Sequence, residues 1–305
     1  MEQRLKVLIL GYGEMGQAMT YLLNERNQIY IWSRHPKEGI EFVVLEEAVA
    51  LADVIFFCLP VNPHREVLQK IAPLLKEHTL CISIAKGLNE SGQTAEQIFT
   101  DILKLKGPYA LLYGPMISEE IRAGRNAFAQ VGCHDLAWFS TVQDLFNSTP
   151  LYLQHTFDIS GICWSVILKN VYALVFGIAD ELQLGDNMRG YLAVAALCEM
   201  DKIVRSMGGQ EGSPYHLAGL GDLITTATSE DSHHHEVGRI LAMTNVTIEK
   251  KKELNGEGLH TIKMIKKYNI FNIADYPLFQ LIDNIVQQPN DVDKKINDYL
   301  QKEQG

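Results

Sequence analysis

The sequence has no long stretch of apolar residues. Its most apolar runs, Val54–Val61 and Val171–Ala179, are far shorter than the about 20 residues that a membrane helix requires. The first residues, Met1–Arg4, lead directly into a strand pattern without the apolar centre of a signal peptide. We therefore expect a protein that neither crosses a membrane nor carries an export signal.

Cysteine is also scarce and shows no pairing pattern. The 305 residues contain five cysteines. They are scattered, odd in number and set mostly among apolar residues: Cys58, Cys81, Cys133, Cys163 and Cys198. Such cysteines indicate buried, reduced thiols rather than a disulfide framework. This pattern is typical of a cytoplasmic protein.

Positive charge is in deficit. Lysine and arginine number 27 against 37 aspartates and glutamates, so the formal net charge is −10. This balance argues against nucleic acids and acidic membrane surfaces as partners. An anionic ligand would need a local cationic pocket. With 47% hydrophobic and 21% charged residues, the chain has the composition of a globular protein of about two domains.

Short apolar runs alternate with helical patterns in the first half of the chain. The predicted strands are Leu5–Leu10, Gln28–Trp32, a weaker Glu41–Val44, Val54–Leu59, Leu80–Ile84 and Tyr109–Tyr113. The helices between them include Gln17–Asn24, Ala48–Ala52 and Pro63–Leu75. Alternation of this kind predicts a parallel sheet with helices on both faces. We expect an α/β, Rossmann-type, doubly wound dinucleotide-binding domain over residues 1–156.

Helical periodicity dominates the second half. It covers Ile159–Met207, Glu236–Met243, Gly258–Tyr268 and Pro277–Val286, with few alternating strand-like segments. We therefore expect residues 157–305 to form an all-α substrate and catalytic domain.

A GxGxxG set, Gly11-Tyr-Gly-Glu-Met-Gly16, follows the first predicted strand and opens a helix. In such a turn the first glycine permits the tight bend and the second lets a pyrophosphate approach the backbone. The third lets strand and helix pack closely, and the helix N-terminus favours the anion. The motif alone is weak, but its strand–turn–helix context predicts a dinucleotide site.

The end of the second strand bears on the choice of cofactor. An acid there would bind the ribose 2′-hydroxyl of NAD. This chain instead has Ser33, Arg34 and His35, which suit a 2′-phosphate. We expect NADP to be preferred, or both NADP and NAD to be accepted. The alternative is that Arg34 is a solvated loop cation and that the protein uses NAD.

The segment Leu217–Gly238 carries the strongest chemical signal. Asp222 follows a Gly-Leu-Gly turn, two threonines come next, and three adjacent histidines complete the segment. Earlier in the chain, Lys169 lies among apolar neighbours in a predicted helix. A lysine and an acid brought together in a dry site polarise a carbonyl and manage its proton.

Several motifs occur in an order that is quite specific. They are Lys86-Gly-Leu88, Gly114-Pro115, Leu168-Lys-Asn-Val171, Leu184-Gly-Asp-Asn-Met-Arg189 and Gly219-Leu-Gly-Asp-Leu223. In this order, over most of the chain, the sequence resembles the NAD(P)-dependent glycerol-3-phosphate dehydrogenases. The resemblance implies reduction of dihydroxyacetone phosphate to sn-glycerol 3-phosphate by a homodimer.

The resemblance also implies roles for individual residues. Lys169 matches the catalytic lysine, Asp222 its acidic partner, and Lys86 a lysine close to the reacting carbons. The implied substrate-binding residues are Lys86, Gly114, Asn170, Thr226, His233, His234, Asn187 and Arg189. The cofactor-binding set is Gly11, Gly13, Glu14, Met15, Gly16, Ser33, Arg34, Pro60, Lys86 and Glu257.

Each role has a structural alternative. Lys169 and Lys86 would otherwise be solvated cations, and Asp222 an ordinary helix cap after a glycine turn. Arg189 would otherwise belong to a surface ion pair.

The chain departs from the family at Ser232-His-His-His235, where the family has serine followed by Arg-Asn-Arg. Histidine lacks the permanent charge and planar fork with which arginine binds phosphate. Three interpretations stay open: weaker, pH-dependent phosphate binding, a different substrate, or a degenerate loop. Adjacent side chains point in different directions, so we expect no metal site.

A second departure is the short segment Pro36–Ala52, which is longer in the family. The shortening leaves hydride transfer possible but affects cofactor affinity and selectivity. Two further functions therefore stay open. One is reduction of another small keto or hydroxy compound, and the other is nucleotide binding without catalysis.

Overall fold

A computed structural model describes residues 4–23, 25–104, 107–229 and 232–303. Asn24, at the end of the first predicted helix, lies outside these residues, as do Glu230 and Asp231 within the segment Leu217–Gly238. The chain divides into two compact units. The first comprises residues 1–89 and 93–163, and the second residues 90–92 and 164–305.

The first unit is built on a seven-stranded sheet in the order β2-β1-β3-β4-β5-β6-β7. Its strands are β1 Lys6–Leu10, β2 Gln28–Trp32, β3 Val54–Phe57, β4 Leu80–Ser83, β5 Tyr109–Tyr113, β6 Ala127–Gly132 and β7 Leu151–Thr156. All neighbouring pairs are parallel except β5 and β6, which are antiparallel. The predicted doubly wound α/β fold is therefore confirmed, with β6 and β7 running opposite to the other five strands.

Helices pack on this sheet. They are α1 Glu14–Leu23, α2 Leu45–Leu51, α3 His64–Ile71, α4 Ala95–Leu103, α5 Ser118–Arg122 and α6 Leu136–Phe146. Strands β3, β4 and β5 are buried along their whole length, as expected for apolar runs covered on both faces. Apolar residues of the sheet and of helices α1 and α6 form one core.

Two sequence interpretations of this unit need correction. Glu41–Val44 is not a strand, because one bond, from Val43 N to Ile31 O, joins it to β2, and the Val44 carbonyl oxygen already accepts from Ala48 N of helix α2. Strands β6 and β7 were not predicted. They lie at the far edge of the sheet, and β7 alternates polar and apolar residues less regularly than a half-buried strand usually does.

The second unit is helical throughout the residues that the structure describes. Its helices are α7 Ile159–Glu181, which begins in the first unit, α8 Gly185–Ser206, α9 Asp222–Thr228, α10 His233–Ala242, α11 Ile248–Lys252, α12 Glu257–Tyr268, α13 Pro277–Gln287 and α14 Val292–Glu303. A single π-turn, Leu217–Gly221, precedes α9. The predicted all-α region is confirmed. The long periodic segment Ile159–Met207 is two helices, separated where Gln183 and Gly185 take positive φ angles.

The expectation that the chain has no long apolar segment was wrong, because α7 is such a segment. Among the described residues, it is the one helix long and apolar enough to cross a membrane. Its most apolar window is completely buried within the protein, so the helix is accounted for as a buried core helix.

Close backbone approaches hold α7 against two neighbours. A Cβ atom at Gly177 would overlap the carbonyl oxygen of His235, and one at Gly238 would overlap that of Leu174. A Cβ at Gly258 would overlap the carbonyl oxygen of Asn170. Glycine at these positions therefore lets α10 and α12 contact the backbone of α7.

Candidate active site

The GxGxxG turn has the geometry of a dinucleotide site. Gly11 has a φ of +96°, and a Cβ there would overlap the Cys58 carbonyl oxygen at the end of β3. A Cβ at Gly16 would overlap the Gly11 carbonyl oxygen. Gly13 has no described atom within 4 Å of its hypothetical Cβ. The first and third glycines thus serve packing, while the second leaves the backbone open at the N-terminus of α1.

Glu14 and Met15, which lie between the second and third glycines, have different surroundings. Glu14 forms an ion pair with Arg122 of helix α5. Met15 packs against the core of the sheet. The side chains of both residues therefore have contacts within the protein, and the backbone of the first turn of α1 is the part suited to a phosphate.

The segment after β2 contains an ion pair that its sequence did not suggest. The Arg34 guanidinium lies 3.2 Å from the Glu66 carboxylate, and about half or more of each side chain is exposed. The Ser33 hydroxyl donates to the His35 carbonyl oxygen at 3.2 Å and faces its own loop. Arg34 is thus placed at the end of β2 but carries a carboxylate beside it.

Three further predicted residues follow successive strands. Pro60 comes after β3, Lys86 after β4 and Gly114 after β5. Because β1, β3, β4 and β5 are parallel neighbours, these positions lie along the carboxyl edge of the sheet, where open α/β sheets bind ligands. Gly114 also has a packing reason to be glycine, since a Cβ there would overlap the Phe128 carbonyl oxygen.

Lys169 and Asp222 form a buried pair in the second unit. Lys169 Nζ lies 3.1 Å from Asp222 Oδ2, and each side chain is 5% exposed. The same Nζ donates to Thr226 Oγ1 at 2.6 Å, and the Thr226 hydroxyl donates to the Asp222 carbonyl oxygen. Asp222 and Thr226 are one turn apart on α9, so both face Lys169 on α7. Burial makes a charged pair costly unless it is well hydrogen-bonded, as this one is.

A second cluster lies next to this pair along α7. Asn170 is 1% exposed, and its Nδ2 donates to Glu257 Oε2 at 3.0 Å. Among the described residues, Asn170 Oδ1 and the hydroxyl of buried Thr261 have no hydrogen-bond partner. Thr261 lies one helical turn after Glu257, so the two side chains share a face of α12. Buried polar atoms of this kind are available to a ligand or to water.

The three histidines have separate partners. His233 Nε2 lies 3.0 Å from the Asn255 carbonyl oxygen, and His235 Nε2 lies 2.7 Å from Asp180 Oδ2. His234 packs near Gly258. Because a carbonyl only accepts, His233 donates from Nε2, and its Nδ1 is an acceptor while the ring is neutral. The three rings therefore do not converge on one point.

Arg189 and Asn187 lie on α8. The Arg189 guanidinium contacts Asp180 at 2.6 Å and Asp186 at 3.7 Å. Asn187 is exposed in the first turn of the helix. Arg189 thus has the ion pair that was its structural alternative.

Two residues of these clusters were not assigned by the sequence patterns. Thr261 had a usable signal, its spacing of four from Glu257 on a helix. Asp180 had none, because its contacts join α7 to the next helix, through Arg189, and to α10, through His235, which lies 55 positions further along the chain.

A glycine turn on a parallel sheet and a buried lysine–carboxylate pair on a helical unit define a nicotinamide-dependent oxidoreductase. Family models agree with this class. The model described as the N-terminus of NAD-dependent glycerol-3-phosphate dehydrogenase matches residues 40–138, and the C-terminal model matches residues 158–297. Together with a full-length relative more than 30% identical, these matches show that the chain belongs to the NAD(P)-dependent glycerol-3-phosphate dehydrogenase family.

Individual relatives cover nearly the whole chain. The glycerol-3-phosphate dehydrogenase [NAD(P)+] of Thermosynechococcus vestitus is 32% identical, covering 92% of this chain and 91% of its own. That of Fusobacterium nucleatum is 28% identical, covering 97% and 96%. The crystal structure of glycerol-3-phosphate dehydrogenase from Coxiella burnetii has a TM-score of 0.84 at 21% identity, covering 97% and 99%. This structural likeness shows that the fold is shared.

Proposed function

We propose that this chain reduces dihydroxyacetone phosphate to sn-glycerol 3-phosphate with NADPH or NADH, and catalyses the reverse reaction. The buried pair of Lys169 and Asp222 carries the proposal. A general acid must lie in a dry site and be held in one orientation, and this lysine has a carboxylate and a hydroxyl as partners.

The residues around the glycine turn fit a dinucleotide. Gly11 and Gly16 have steric reasons to lack a side chain, and Gly13 leaves the backbone open. The bound nicotinamide cofactor would supply or accept the hydride. The turn would hold its pyrophosphate, with Pro60 and Lys86 at the neighbouring strand ends.

The protein's own residues would manage the proton. Lys169 would donate a proton to the carbonyl oxygen of the ketone as the hydride reaches its carbon, and would take the proton back in the reverse direction. Asp222 would hold the ammonium group in position and stabilise its charge. Lys86 would stabilise negative charge on the substrate as a fixed cation.

We assign the substrate phosphate to the start of α10 and the cluster around Asn170. The buried Asn170 Oδ1 and Thr261 hydroxyl, without partners among the described residues, mark a polar region near His234. His233 already donates from Nε2 to Asn255, so it gains a second donor only when protonated. We therefore infer that protonation of the His233 ring strengthens phosphate binding.

The finer features of the cofactor and the assembly are also proposals. Arg34 at the end of β2 supports a preference for NADP, and its pairing with Glu66 limits that preference. The family resemblance implies a homodimer. The thiols of Cys81, Cys133 and Cys163 are buried and unpaired, whereas Cys198 is exposed, and the unpaired thiols support a reduced, cytoplasmic location.

A kinetic comparison of wild type with two variants tests the proposal. The purified protein should oxidise NADPH and NADH in the presence of dihydroxyacetone phosphate between about pH 6 and 8, with a KM that falls as the pH is lowered. Lys169→Met should lower kcat by at least about a hundredfold. The double variant His233→Arg/His234→Asn should lower KM at the upper end of the pH range.

Two outcomes would count against the proposed reaction or its substrate. Absence of oxidation with either cofactor would refute the proposed reaction. Saturating activity with a non-phosphorylated ketone, together with no change of KM in the double variant, would identify another small keto compound as the substrate.

A further inference from the structure

A buried histidine outside the predicted site connects two of its loops. His64 is the first residue of α3 and is completely buried. Its Nδ1 lies 2.9 Å from the Pro60 carbonyl oxygen, and its Nε2 lies 2.9 Å from Ser83 Oγ. Pro60 belongs to the loop after β3, and Ser83 is the last residue of β4. The imidazole therefore links the ends of two adjacent strands.

The direction of these hydrogen bonds follows from their partners. A carbonyl oxygen only accepts, so His64 donates from Nδ1 to Pro60. Burial lowers the pKa of His64 to about 4, so the ring is neutral near pH 7 and its Nε2 accepts. The Ser83 hydroxyl therefore donates to His64.

The chain of bonds continues to the residue before Lys86. The Ala85 backbone N–H donates to Ser83 Oγ at 3.1 Å. On its other side, the Tyr113 hydroxyl donates to the Ala85 carbonyl oxygen at 2.8 Å. Ser83 and Tyr113 are both completely buried. Both polar groups of the Ala85 backbone are thus held by buried side chains.

Aromatic packing holds the histidine in place. The His64 ring lies 5.1 Å from the ring of Phe57 and 6.0 Å from that of Phe99, centroid to centroid. Phe57 is the last residue of β3 and Phe99 lies on α4. A ring confined in this way loses little entropy when it forms its two hydrogen bonds.

We propose that His64, Ser83 and Tyr113 are positioning residues. They fix the backbone just after β4 and thereby the direction of the Lys86 side chain. Lys86 follows Ala85 directly and precedes Gly87, which has a φ of +108°. The backbone on one side of the lysine is held by the buried bonds, and the turn on the other side depends on glycine. The same histidine holds the Pro60 loop, so it couples the cofactor side and the substrate side of the sheet edge. This inference rests on the proposed function of Lys86.

Removal of single hydroxyl groups tests the proposal with a matched control. Tyr113→Phe removes the bond to Ala85, whereas Tyr109→Phe removes a hydroxyl from the same strand whose partner is Thr100. Tyr113→Phe should lower kcat/KM for dihydroxyacetone phosphate about tenfold, because a displaced group costs rate without being lost. Tyr109→Phe should change it less than about twofold. The two variants should have similar melting temperatures.

A double-mutant cycle separates positioning of Lys86 from general damage. In a Lys86→Ala background, Tyr113→Phe should have less than about a twofold further effect on kcat/KM, since the group that it positions is gone. Ser83→Ala should behave like Tyr113→Phe. An equal loss in both backgrounds, or a loss no larger than that of Tyr109→Phe, would overturn the proposal.

A measurement without turnover distinguishes this proposal from the proposed function. Reductive methylation with isotopically labelled formaldehyde gives each lysine an NMR signal, and the Lys86→Ala variant identifies that of Lys86. Its chemical shift should move in Ser83→Ala and Tyr113→Phe but not in Tyr109→Phe. A wild type inactive on dihydroxyacetone phosphate with a Lys86 signal that moves would refute the reaction alone. An unmoved signal would refute the positioning role.

Discussion

Arg34 and Glu66 show how one contact changes the meaning of a residue. From its position after β2, Arg34 indicates NADP, because a guanidinium binds a 2′-phosphate well. The carboxylate of Glu66, 3.2 Å away, partly neutralises that charge. Glu66 lies on α3, more than 30 positions along the chain, and no local pattern connects the two residues.

Glu66→Gln should shift cofactor use towards NADPH. The substitution removes a negative charge beside Arg34 while keeping the shape of the side chain. Since exposed ion pairs are worth up to about 1 kcal/mol, the ratio of kcat/KM for NADPH to that for NADH should rise by up to about fivefold. Arg34→Ala should lower the same ratio. Equal ratios in wild type and both variants would show that this pair does not read the 2′-phosphate.

For single residues, the sequence was most informative where the chemistry needs particular residue types at a fixed spacing. Asp222 and Thr226 are four positions apart, so a helix alone places them on one face. Lys169 meets Asp222 because α7 packs against α9. The family resemblance implied this contact, and Lys169 Nζ lies 3.1 Å from Asp222 Oδ2. The separate partners of the three histidines were not predictable, since Asn255 and Asp180 lie far from them in the chain.

At the scale of elements, three glycines set how closely α10 and α12 approach α7. Gly177 and Gly238 bring the backbones of α7 and α10 into contact, and Gly258 does so for α12 and Asn170. Because His233 and Glu257 begin α10 and α12, this packing also positions the proposed phosphate region.

Gly238→Ala should destabilise the protein and raise KM for the substrate. Its methyl group would overlap the Leu174 carbonyl oxygen, and forced overpacking costs about 1–3 kcal/mol. Gly190→Ala on α8 is the matched control, since no described atom lies within 4 Å of its hypothetical Cβ. That change should raise the melting temperature, because alanine favours a helix by up to about 1 kcal/mol. A Gly238→Ala variant as stable as the control would contradict the close packing.

Buried His64 contributes to the pH dependence of the whole molecule. Burial lowers its pKa to about 4, below the value of about 6.5 usual in an unfolded chain. Between these values the unfolded state binds more protons than the folded state, so the free energy of unfolding falls as the pH falls through this window. Most of the effect, up to about 3 kcal/mol, is complete near pH 4.

A comparison of wild type with His64→Phe isolates the contribution of His64 to the pH dependence of stability. Phenylalanine keeps an aromatic ring beside Phe57 and Phe99 but does not titrate. Between pH 7 and pH 5, wild type should lose about 2 kcal/mol more free energy of unfolding than the variant, as measured by urea titration. Parallel pH profiles for the two proteins would mean that folding does not lower the pKa of His64.

For the whole molecule, the sequence by itself determined the class of each half. Apolar runs of strand length alternating with helical periods predict a parallel sheet, and the GxGxxG turn between the first strand and helix predicts a dinucleotide site. The helical segments after residue 157, with few alternating strand-like patterns between them, likewise predicted an all-α region. These features depend on neighbours within one element, so local patterns were sufficient.

Only the tertiary structure decided what is non-local. Three features depend on contacts between separate elements rather than on a pattern within one element. They are the antiparallel pairing of β6 with β5, the position of Glu41–Val44 outside the sheet, and the pairing of Arg34 with Glu66. The hydrogen bonds that link His64 through Ser83 to Ala85 arise in the same way, from strand order. Side-chain identity states what a residue is able to do, but the packing of distant elements decides which partner it meets and therefore what it does.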